Sequence, residues 1–201
     1  KRRDCENACL TLEGRATLFA DKPDEAGDFE ANQDEIATLL PSRPVEKLFL
    51  TQLGTTATKA AVRSAFDTGV SLMSYVGHGS SGLWATEGIL RSPDIAAFAP
   101  QPQQPFVLTM TCSNGYFVSP YNNSLSERLV LAEAKGAIAS FSPSGLSLND
   151  AAHVYHRAVV SELEQGAHDR LGDLLLAAQA SYATSGAFPE LLDFYNLLGD
   201  P

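Results

Sequence analysis

Short, dense apolar runs alternate along this chain with stretches whose apolar residues recur every three or four positions. Five runs read as strands, over 15–20, 45–50, 70–76, 105–111 and 137–141. They are rich in β-branched or aromatic residues and bounded by Gly, Pro or polar clusters. Helical spacing covers 33–40, then 55 or 56 to 67, then a segment opening at Ser124 or Ser126, then 150–164 and 171–184. Thr55 or Thr56 and Ser124 or Ser126 suit helix N-caps, and Gly69 and Gly136 suit helix ends. The region 21–35 reads as an acidic loop up to its helix. The chain after Gly79 reads as irregular through Gly88, and Pro100 to Pro105 reads as a further loop. Strands alternating with helices predict an α/β/α sandwich over a mostly parallel sheet. The first fourteen residues are polar and aperiodic and read as an N-terminal arm (1–14) ahead of one folded body (15–201). The arm is expected to pair with a separate chain or to order poorly alone.

Two of the strands run into reactive residues. The 70–76 run enters Gly77-His78-Gly79-Ser80, and the 105–111 run enters Cys112-Ser113-Asn114-Gly115. In a parallel sheet both junctions fall at the carboxyl edge, where open α/β sheets build their sites. A thiol beside an imidazole is the minimum equipment for nucleophilic acyl transfer, because the base raises the thiolate fraction.

Composition narrows the partners. The 201 residues carry 14 Lys and Arg against 24 Asp and Glu, a formal charge of −10, which disfavours phosphate backbones and so nucleic acid, and favours basic peptides. No apolar stretch reaches the length of a membrane span. Cys5 and Cys9, four apart, fit a helical disulfide poorly and lack nearby His, which leaves Cys112 for chemistry. No metal site is expected. His153 and His156 share a helical face without a third ligand, and the acids of 21–35 lack the spacing of an EF-hand, although a structural calcium there stays open. Gly77-His78-Gly79-Ser80-Ser81-Gly82 fits a dinucleotide fingerprint by letter, but no helix opens after it and no acidic strand end follows at the required distance. No other cofactor is expected.

The blocks Tyr75-Val76-Gly77-His78-Gly79-Ser80 with Trp84, Thr111-Cys112-Ser113-Asn114-Gly115-Tyr116-Phe117, Gly136-Ala137-Ile138-Ala139-Ser140 and Asn196-Leu197-Leu198-Gly199-Asp200-Pro201 resemble those of gingipain-type cysteine peptidases, a family of the caspase-like clan. The resemblance covers nearly the whole chain after its first dozen residues. It implies a caspase-like fold, Cys112 as nucleophile, His78 as acid/base, and the backbone amides of Gly79 and Cys112 as an oxyanion hole. It implies Asp21 as the carboxylate orienting the imidazole. It sets Asp28 and Leu148 at the substrate-binding positions for a basic P1 residue, with Leu148 standing where the family usually carries Trp. Trp84 and Ser144, which follow strands at the same edge, are the other substrate-binding candidates.

The implied activity is endopeptidase cleavage of a peptide or protein substrate through a covalent thioester, with a preference for basic P1 residues. A smaller upstream subdomain, or a cleaved partner chain, is expected to complete a catalytic unit of which 15–201 is the C-terminal half. A secreted, cell-surface or periplasmic location is implied in the same way. Two alternatives stand beside this: a partner-activated regulatory peptidase, and an inactive homologue serving as a binding module in a larger secreted protein.

Overall fold

The computed structural model describes residue 12 and residues 14–201. The expected arm over 1–14 therefore lies almost wholly outside the described residues, as do Cys5 and Cys9. Leu12 is buried, and its carbonyl accepts a hydrogen bond from Arg43 at 2.6 Å.

The five expected strands form β1 (Ala16–Ala20), β2 (Val45–Phe49), β3 (Leu72–Val76), and, further on, the strands Phe106–Met110 and Ala139–Pro143. Between β3 and Phe106 the segment expected to be irregular folds instead into a small antiparallel sheet, β4 (Gly79–Ser80), β5 (Leu83–Trp84) and β6 (Leu90–Arg91). The two later strands are then β7 and β8, and the last apolar segment is β9 (Tyr195–Gly199). The main sheet runs β2-β1-β3-β7-β8-β9, parallel throughout except for β9, which pairs antiparallel with β8. Every residue of β1, β3, β7 and β8 is buried, as strands covered on both faces require.

Helices cover both faces. On one, α1 (Phe29–Thr38), α4 (Asn149–Gln165), α5 (Leu171–Thr184) and the single turn α6 (Leu191–Phe194) pack on Leu18, Leu72, Phe106, Leu108 and Phe141. On the other, α2 (Leu50–Thr68) and α3 (Leu125–Leu131) cover Phe19, Met73, Tyr75 and Val107. α1 begins four residues earlier than expected because Asp28 caps it, its carboxylate accepting the Ala31 N–H at 2.9 Å. α2 also begins earlier, as a turn bent at Gly54 (φ 73°) before the continuous helix. α3 closes a capping box between Ser124 and Glu127. The α/β/α sandwich and mostly parallel sheet are as the hydrophobic pattern predicts, and they bring the ends of the neighbours β3 and β7 to one edge.

Candidate active site

The β3 end is fixed by a glycine. Gly77 has φ 152°, and an added Cβ would lie 2.3 Å from the Asp21 Cβ and 2.6 Å from the Tyr75 hydroxyl. The chain turns there and delivers His78, whose backbone is held on both polar groups. Its N–H donates to Asp21 Oδ2 at 3.2 Å, and its carbonyl accepts from Tyr75 Oη at 2.6 Å and from the Ala85 N–H at 2.8 Å. The imidazole Nε2 meets Asp24 Oδ2 at 2.8 Å, and the ring stands edge-on to Phe29, centroids 5.4 Å apart. The Ala26 N–H and the histidine beside it hold the Asp24 carboxyl below the usual range, so the carboxylate accepts the Nε2 proton. Burial pushes the Asp21 carboxyl the other way, against hydrogen bonds from the Lys22 and His78 amides.

Cys112 follows β7 after Thr111. Its sulfur lies 3.4 Å from the Ser147 N–H and 3.7 Å from the Ser147 carbonyl, so one peptide-bearing residue meets it with both polar groups. Ser113 turns the chain with φ 56°, unusual for a residue with a side chain, and its N–H donates to the Gly145 carbonyl at 2.8 Å. The Gly115 N–H donates to the Pro143 carbonyl at 2.8 Å, so pairing with the β8 side continues past the end of β7. The two halves of the site are joined by Asn114, fully buried. It accepts the Trp84 indole N–H at 2.6 Å and donates to the carbonyls of Leu83, at 3.2 Å, and Ser80.

His78 and Cys112 line one small cleft of about 90 Å³. Ala26 and Phe29 wall it from the start of α1, Ser147, Asn149 and Ala152 from the start of α4, and Gly77, Met110 and Thr111 from the strand ends. Other expected site residues sit around it. Asp21 touches the His78 main chain, and the carboxylate on the ring is Asp24. Asp28 is spent on the α1 cap and does not line the cleft. Trp84 is fully buried, stacked on Tyr75 with centroids 4.7 Å apart, and supports the loop from below. Ser144 is tied to the Phe194 carbonyl at 3.1 Å and to Asn196. Leu148 is 56% exposed at the rim, next to Ser147. Asp24, Asn114, Ser147 and Asn149 escape sequence reasoning. Only Asn114 carries a signal there, as a polar residue two places after Cys112 at a strand end.

Gly79 packs so closely that an added Cβ would lie 2.4 Å from Thr111 Oγ1 and 3.0 Å from the Leu83 carbonyl. The Ala85 N–H bond to His78 makes the next opposed pair, Gly79 and Trp84, a non-hydrogen-bonded one, so the Gly79 N–H points out of the ladder. The acids of 21–35 do not converge. Lys47 engages Asp34 at 2.8 Å, His153 and Arg157 engage Glu35, and Thr51 engages Glu30. Among the described residues no group of three or more His, Cys, Asp or Glu is arranged to hold a metal ion.

The model of peptidase family C25 matches residues 6–201. The chain belongs to that family. It resembles the crystal structure of the Arg-specific cysteine proteinase gingipain R with a TM-score of 0.79 at 20% identity, over 97% of this chain and 48% of the other. A complex of the pro- and mature domains of the Porphyromonas gingivalis enzyme RgpB matches with a TM-score of 0.78 at 18% identity, over 97% and 49%. No curated protein matches the chain. The gingipain likeness matches the caspase-like sandwich, and this C25 chain spans about half the length of those solved chains.

Proposed function

We propose that this C25 chain carries the catalytic centre of a cysteine endopeptidase that uses a Cys112–His78 dyad. The observation that carries the proposal is that the thiol and the imidazole line the same cleft from adjacent strand ends. With Nε2 engaged by Asp24, Nδ1 is the ring nitrogen left to exchange a proton with the thiol and the leaving group. Cys112 Sγ attacks the scissile carbonyl, and the C–N bond breaks as the imidazolium passes its proton to the amine. A thioester remains, and water deprotonated by His78 hydrolyses it to free acid and thiol. The outward N–H of Gly79 and that of Cys112 are the donors for the tetrahedral oxyanion.

A preference for basic residues finds its support in the net charge of −10, which concentrates cationic peptides near the surface. That is a long-range term and is not tied to P1, since Asp28 is occupied as a helix cap. The match to about half of each gingipain chain supports 15–201 as one half of a longer catalytic unit, completed by an upstream subdomain or a cleaved partner chain. Family membership favours a secreted, cell-surface or periplasmic setting. Among the described residues no helix is long and apolar enough to cross a membrane.

The test is labelling and turnover in the full protein. A peptidyl acyloxymethyl ketone should modify Cys112, and Cys112→Ala should lose both labelling and peptidase activity while keeping its circular dichroism spectrum. Activity surviving in Cys112→Ala, free of other proteases, would overturn the assignment.

A further inference from the structure

Resting on the peptidase assignment, we infer that the P1 side chain accepted at Cys112 is short and uncharged, of the size of Ala, Ser, Thr or Val. A peptide whose scissile carbonyl reaches Cys112 Sγ must place its P1 side chain in the space that opens beside that sulfur. The cleft holding both Cys112 and His78 is that space, and it is small, about 90 Å³. Its walls suit a short side chain. An Arg or Lys side chain would have to settle its longer stem and charged head against the same few walls.

The lining chemistry agrees with the size. Phe29, Met110, Ala152 and Ala26 supply apolar walls, and Asn149 is a neutral amide held by Asn32 at 3.0 Å. Among the described residues no Asp or Glu lines the cleft. The acids nearest in the chain are already engaged. Asp21 accepts the Lys22 and His78 amides, Asp24 accepts the His78 ring and the Ala26 amide, and Asp28 accepts the Ala31 amide. A cationic P1 head would lose water without meeting a carboxylate, which disfavours it strongly. Leu146 and Leu148, 79% and 56% exposed on either side of Ser147, extend the rim with apolar surface and no charge. Negative surface potential can draw a basic peptide to the protein, while the cleft selects an uncharged residue at the bond that is cut.

A fluorogenic peptide series varied only at P1, run on the full protein, tests this. Ala, Ser, Thr and Val should exceed Arg and Lys by about tenfold or more in kcat/KM. Ala26→Leu, at an exposed position on the cleft wall, should cost Val and Thr substrates several-fold more than Ala. Iodoacetamide labelling of Cys112 runs alongside as a size-independent control. If Cys112 labels and Arg or Lys ranks first, or if Ala26→Leu lowers all P1 residues equally, the P1 assignment falls alone. If no substrate of the series is cut and Cys112 resists labelling, the peptidase assignment falls and takes this inference with it.

Discussion

Asn114 accepts the indole N–H of Trp84 at 2.6 Å, and through that bond the turn after Cys112 is tied to the hairpin after His78. The same Asn114 amide donates to Leu83 and Ser80, so one buried side chain satisfies groups on β4 and β5 at once. Neither strand is longer than two residues, and such strands hold no register by themselves.

Asn114→Ala should therefore cost more than an ordinary hydrogen bond. It leaves the buried Trp84 N–H without its acceptor, a loss of about 1–3 kcal/mol for that group alone. Chemical denaturation should show a loss of about that size or larger, and Trp fluorescence should shift as the hairpin loosens. Asn114→Asp keeps the acceptor but not the donor and should fall between the two. A variant with wild-type stability would remove Asn114 from the role of a tie.

Asp21 and Asp24 separate by assay. Asp24 is exposed and touches the imidazole, so Asp24→Asn should leave the melting temperature nearly unchanged while lowering kcat by about tenfold or more through a poorly oriented base. Asp21 is buried against two backbone amides, so Asp21→Asn should act first on stability, by about 1–3 kcal/mol. If Asp21→Asn lowers kcat at unchanged stability and Asp24→Asn does nothing, the assignment of the two carboxylates is reversed.

That exchange shows what a linear pattern carries. The strands and the long helices were legible because burial on both sheet faces writes continuous apolar runs and the helices write a three-to-four repeat. The His78 and Cys112 junctions were legible because each ends such a run. Which carboxylate meets the ring was not, because Asp21, Asp24 and Asp28 lie within one turn-rich segment whose path is set by the Asp24–Gly27 bridge and the α1 cap. The hairpin β4–β6 was hidden for a related reason: strands of two residues have no period to detect, and Asn114, distant in sequence, holds them.

Gly79 has a packing requirement of its own. In Gly79→Ala the new methyl would press on Thr111 Oγ1, a buried hydroxyl with no hydrogen-bond partner, and should cost about 1–3 kcal/mol by overpacking. Removing the opposing group in Gly79→Ala with Thr111→Ala should recover most of the melting temperature. No recovery would mean that the Leu83 carbonyl, and not Thr111, sets the limit.

The last expectation concerns acid stability and rests on His156. This residue of α4 is fully buried, and its Nε2 lies 3.0 Å from Ser74 Oγ. Ser74 Oγ also accepts from Gln33 Nε2 at 3.2 Å, so the hydroxyl and the neutral ring share one hydrogen bond inside a buried polar cluster. Nδ1 is buried without a partner, so a protonated ring would carry an N–H with no acceptor. Burial, with a smaller contribution from His153, pushes the His156 pKa down to about 3 from an ordinary value of 6.5. Because the folded value is depressed, the unfolded chain takes up a proton between pH 6.5 and 3 that the folded chain refuses. The stability is therefore fully present above 6.5 and is lost as the pH falls, with a slope approaching about 1.4 kcal/mol per pH unit. Carboxylates add their own loss lower down, so the window from pH 6.5 to 5 isolates the histidine. His156→Gln keeps a hydrogen-bonding partner for Ser74 and does not titrate. Denaturant midpoints of the wild type should decline across that window while those of His156→Gln stay level, and parallel declines would show that another group carries the acid sensitivity.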